Sequence, residues 1–126
     1  MVEKLTQTLK NFDYRLNRYQ IHYSVAMWHC PEEIDISILS KCIRTTDRLI
    51  CLNEYNYAIV FDYTNPESGL HAANNLLKHF KSTYSSVPLF CSIVNSSQYE
   101  SVSSMIPELF TQLNKSIENN QMAISS

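Results

Sequence analysis

Glycine is nearly absent from this chain of 126 residues: one occurs, at position 69. Phosphate-cradling loops need several glycines so that the backbone can approach the ligand, so neither a P-loop nor a GxGxxG fingerprint can be written with Gly69. Charge of one sign is missing too. Ten basic and twelve acidic residues leave a formal net charge of -2, which provides no electrostatic footprint for a nucleic-acid backbone or an anionic membrane surface. No apolar run is long enough to span a bilayer, and MVEKLTQTLK at the N-terminus lacks the apolar stretch of a secretory signal. The expected partners therefore include neither nucleic acid nor membrane, and the expected compartment is the cytoplasm. No pair among Cys30, Cys42, Cys51 and Cys91 has CxxC spacing, so the four are expected to be reduced, buried thiols.

What is present is a globular composition, 44% hydrophobic with eight Tyr and five Phe, at a length that suits one domain. Val2, Leu5, Leu9, Phe12, Leu16 and Tyr19 recur at steps of three and four and predict a helix over 2–19. Its stripe is expected to pack on the domain's own flank or on a second copy in a short coiled coil. Residues 20–30 read as a central strand, apolar from Tyr23 to Trp28. Pro31-Glu32-Glu33 reads as a helix start, continued by Ile34, Ile38 and Cys42. Strands at 48–52 and 57–63 flank a four-residue turn. Asn65-Pro66 caps the next helix, with Leu70, Ala73, Leu76, Leu77 and Phe80 on its face; a fourth strand follows at 88–96 and a helix at 99–119. Pro107 either kinks that last helix or marks its true first turn. The order α, β-α-β-β-α-β, α is the ferredoxin-like βαββαβ arrangement, an α+β antiparallel sheet with additional N- and C-terminal helices.

The stretch Arg44-Thr45-Thr46-Asp47, five residues, then Asn53-Glu54-Tyr55-Asn56-Tyr57 and the apolar Ala58-Ile59-Val60-Phe61 resembles the GGDEF domain of bacterial diguanylate cyclases, in which RxxD precedes the signature hairpin by that spacing. AIVFDYTNPESGLHAANNLLKHF looks like the family's strand, turn and helix, Ser92-Ile93-Val94 its following strand, and Asn119-Asn120 stand where its closing helix ends. The resemblance implies a GGDEF-like domain over 20–120, a linker or dimerisation helix over 1–19 and a flexible tail at 121–126.

The departures matter as much. The family's two metal ions take carboxylates from the first strand and from the third signature residue; here that residue is Tyr55, and 20–30 holds no carboxylate. Asn53 and Glu54 replace the two glycines, and the segment between the first strand and Arg44 is too short for the family's nucleotide-recognising loop. The expectation is a degenerate domain: not an enzyme, without catalytic residues, metal or cofactor, working as a regulatory or protein-interaction module through its N-terminal helix, as a homodimer or on another protein. Two alternatives stand beside it. Arg44 and Asp47 can bind cyclic di-GMP, the Arg fork meeting phosphate and guanine edges and the Asp accepting from guanine N–H groups, although the family's second Arg falls near Asn75. The chain can also be a divergent nucleotide cyclase with Glu54 as the turn's remaining acid. His22, His29, His71 and His79 lack the spacing of a metal site, and His29 and Cys30 point to opposite faces of a strand.

Overall fold

The computed structural model describes residues 2–119 together with a short strand at 124–125. Helix α1 (Val2–Tyr19) leads into β1 (Tyr23–His29), a single helical turn α2 (Ser37–Ser40), the hairpin β2 (Arg48–Cys51) and β3 (Asn56–Asp62), helix α3 (Pro66–Thr83), β4 (Phe90–Asn95), a 3₁₀ turn (Ser96–Gln98) and helix α4 (Val102–Glu118). The strands form an antiparallel sheet in the order β2-β3-β1-β4. β5 (Ile124–Ser125) adds a parallel pair at the β4 edge. This is the ferredoxin-like topology expected from the element order, and the only part of the 121–126 tail that is described is that short strand.

Period-two alternation in β1 divides the interior into two cores. Tyr23, Val25 and Met27 point to one face, where Leu5, Leu9 and Phe12 of α1 and Met105, Ile106, Leu109 and Leu113 of α4 cover them. Ala26 and Trp28 point to the other, under Leu39 and the Ala73, Leu76, Leu77 and Phe80 stripe of α3. Leu5, Leu9 and Phe12 of the α1 stripe thus pack inside the domain, while Val2 and Tyr19, at its two ends, are exposed. Burial of Leu5, Leu9 and Phe12 stabilises docking of α1 by about 2 kcal/mol per side chain.

The expected helix from Pro31 shrinks to Ser37–Ser40. Asp35 accepts from Ser37 N at 3.0 Å, closing a local turn that competes with a longer helix, while Glu32 and Glu33 stay exposed in the loop. Pro107 neither starts nor ends α4, which runs from Val102 through it. The unbroken stripe of Met105, Ile106, Leu109 and Leu113 holds the helix across the missing N–H. Cysteine burial also differs from expectation: Cys30 and Cys91 are buried, Cys42 is intermediate and Cys51 is exposed. Burial pushes the Cys91 thiol up, and the Cys30 thiol in the same direction. A thiol reagent is therefore expected to modify Cys51 rapidly in the folded protein and Cys91 only on unfolding, which peptide mapping after timed labelling would check.

The single glycine has a packing reason. Gly69 crosses β1 on α3, and a Cβ placed there would fall 2.1 Å from Ser24 Oγ and 2.7 Å from Ser24 Cβ. Ser24 cannot turn away freely, because its hydroxyl pairs with Thr64 Oγ1 at 2.8 Å and accepts from Asn95 Nδ2 at 2.8 Å.

Candidate functional site

Arg44 and Asp47 lie in the loop ahead of β2, at the end of the sheet away from the signature turn. Asp47 is almost wholly enclosed, its side chain 2% exposed, and both its oxygens are in use. One accepts from Arg44 N at 2.9 Å and from Arg44 Nε at 3.3 Å. The other accepts from Arg44 Nη2 at 3.0 Å and from Asp62 N at 2.9 Å. Arg44 Nη2 also donates to the Asp62 carbonyl. The motif therefore clamps this loop onto the last residue of β3. The Arg44 side chain is nevertheless 55% exposed.

Residues that the sequence reading did not single out complete the cluster. Arg15, from α1, donates through Nη1 to Asp62 Oδ2 at 2.7 Å, and Tyr63 N donates to Asp62 Oδ1 at 3.0 Å. Positions 15, 47 and 62 carry no local signal of their proximity. The one available hint was an acid at the end of an otherwise apolar strand, Phe61-Asp62, where a buried charge requires a partner.

At the opposite end of the hairpin, Asn53 takes over the work that glycines do elsewhere. Its Oδ1 accepts from Tyr55 N and Asn56 N, both at 3.0 Å, and from Asn56 Nδ2 at 2.9 Å, so the turn closes around a side-chain acceptor. The Tyr55 carbonyl accepts from Cys30 N at 2.9 Å, tying the turn to the end of β1. His29 Nδ1 pairs with Asn56 Oδ1 at 3.0 Å, and Tyr57 OH donates to the Glu54 carbonyl at 3.0 Å. Glu54 and Tyr55 are exposed. Burial, followed by the charges of Cys51, Cys30 and Glu33, raises the Tyr57 phenol.

Of the remaining candidates, His22 pairs through Nδ1 with Ser96 Oγ at 2.9 Å, and His71 and His79 sit on the exposed face of α3. Among the described residues no three His, Cys, Asp or Glu side chains gather to hold a metal ion, and no helix is long and apolar enough to cross a membrane.

No family profile matches the sequence, and no curated protein does. Solved structures do match. The GGDEF domain of PA1120 (YfiN or TpbB) from Pseudomonas aeruginosa superposes with a TM-score of 0.81 at 11% identity, over 98% of this chain and 92% of that one. The active GGEEF domain of a diguanylate cyclase from Vibrio cholerae gives 0.75 at 12% identity, over 98% and 94%. The GGDEF domain of DgcB from Caulobacter crescentus in complex with c-di-GMP gives 0.73 at 9% identity, over 98% and 88%.

These neighbours correct the expectation that the chain is not an enzyme: the domains that share its fold include diguanylate cyclases, which are enzymes. The missing carboxylates at 20–30 and at Tyr55 describe the letters of the sequence and do not measure its activity. Sheet order, helix placement and the position of the β2–β3 hairpin together give this chain the fold of a GGDEF domain.

Proposed function

We propose that the chain is a GGDEF-like signalling domain that works through contact with another protein, presenting its signature turn as the contact surface. The observation that carries this reading is the closed turn. Asn53 Oδ1 accepts hydrogen bonds across it, His29 and Cys30 brace it from the end of β1, and Glu54 and a 40% exposed Tyr55 project from it. A braced tip with an outward tyrosine loses little conformational entropy on association, which suits a protein contact. A photo-crosslinking residue placed at 55, in the cell that makes the protein, is expected to yield an adduct of defined mass that the same probe at exposed Glu67 does not. Equal yields at the two positions would reject the reading.

A second reading has its own support: the Arg44 side chain is half exposed, and the DgcB domain was solved with c-di-GMP bound. In this reading Arg44 is the contact to phosphate and guanine edges, and Asp47, with all its hydrogen bonds turned inward, orients the fork. Titration calorimetry with cyclic di-GMP is expected to show heat that drops at least about tenfold in affinity on Arg44→Ala, the loss of one charge-assisted bidentate contact. No heat from the unsubstituted protein rejects it. Incubation with GTP and magnesium, followed by chromatography, addresses the cyclase reading; turnover that vanishes on Glu54→Gln would locate the chemistry at the turn.

A further inference from the structure

Helix α1 is tethered to both ends of the β2–β3 hairpin. Near its start, Lys4 Nζ donates to the carbonyl of Cys51, the last residue of β2 before the turn. Near its end, Arg15 Nη1 donates to Asp62 Oδ2 at 2.7 Å, at the far end of β3. From Lys4 to Arg15 the helix rises about 16 Å, and β3 spans about 20 Å, so the helix reaches along the hairpin from one candidate site to the other. Between the tethers, Leu5, Leu9 and Phe12 hold it to the sheet.

Asp62 is the junction. Its carboxylate, 6% exposed, faces Arg15; its N–H goes to Asp47; its carbonyl receives Arg44. Two segments far apart in sequence, α1 and the Arg44–Asp47 loop, meet on this residue of β3, the helix on its side chain and the loop on its backbone.

We propose that α1 is a regulatory strap: its seating on the sheet, read through Arg15 and Asp62, sets how firmly Arg44 is folded inward on Asp47. With α1 seated, Arg15 neutralises Asp62 and fixes its backbone, and that backbone holds the Arg44–Asp47 loop. When α1 shifts, Asp62 loses its counter-charge while still enclosed and close to the Asp47 carboxylate. The loop relaxes, and Arg44 turns its guanidinium toward solvent. The inference concerns the ligand-free chain and stands independently of which reading of Arg44 or of the turn is correct.

Amide hydrogen exchange on the full chain tests it. Arg15→Met keeps the aliphatic stem and removes the charge. It is expected to speed exchange at the amides of Arg44 and Asp47, which are bonded to Asp47 Oδ2 and to the Arg44 carbonyl, by about tenfold relative to the amide of Ala26 in central β1. Arg15→Lys, which retains a point charge and one donor, is expected to give a smaller acceleration. Arg18→Met, on the same helix but directed at Tyr19, is expected to give none. If the Arg44 and Asp47 amides keep pace with Ala26 in both Arg15 variants, or accelerate equally with Arg18→Met, the strap is refuted.

Discussion

Asp47→Ala is expected to lower folding stability by about 3 kcal/mol, or about 10 °C in melting temperature for a domain of this length. The figure follows from what the carboxylate does. It accepts four hydrogen bonds while 2% exposed, two of them from backbone N–H groups, those of Arg44 and Asp62. Alanine leaves both of these donors without their partner and opens a void that the half-exposed Arg44 stem does not fill. Asp47→Asn keeps one acceptor oxygen but sets an amide N–H against the Arg44 fork, so it is expected to recover less than half of the loss. Urea unfolding of both variants measures the difference. A cost below about 0.5 kcal/mol, the range of ordinary surface substitutions, would mean that Asp47 is not the clamp described above.

Gly69→Ala is expected to reverse the sign that helix propensity assigns to it. Inside an 18-residue helix, exchanging glycine for alanine ordinarily gains about 1 kcal/mol. Here the new methyl would lie 2.7 Å from Ser24 Cβ, a backbone-anchored atom in the middle of the sheet. Forcing α3 off β1 costs about 1–3 kcal/mol in a close-packed interior, and the Ser24, Thr64 and Asn95 hydrogen bonds are disturbed with it. A net loss of about 2 kcal/mol is expected by denaturant unfolding. On a Ser24→Gly background the same substitution should be neutral or stabilising, since the next nearest atom, Ile93 Cδ1, is at an ordinary 3.7 Å. A destabilisation that persists in that background would show that the close approach to Ser24 is not the cause.

The long helices were legible because each had to bury one stripe, and a stripe at 3.6-residue spacing survives in the letters. α1 begins and ends where its periodicity does, and α3 opens at Asn65, whose side chain accepts from Ser68 N at 2.8 Å. The segment from Pro31 to Cys42 had the same letters, but a local Asp35 turn and tertiary contacts by Ile34 and Ile36 outweighed a short helical pattern. Among site residues, Arg44 and Asp47 could be singled out by their distance from the turn. That their carboxylate faces inward could not.

Spacing and periodicity in the chain itself determined the order of elements, the ferredoxin-like topology and the place of the β2–β3 turn, because each of these is a repeat or an offset along one polymer. Which charges meet was decided by the tertiary structure: Arg15, Arg44, Asp47 and Asp62 converge since α1 and the loop before β2 both end over the last residue of β3. The need for the lone glycine is likewise invisible in sequence, for it arises where a helix backbone and a strand side chain some 45 residues apart press together. Contacts of that kind depend on distance in space, which linear order does not encode.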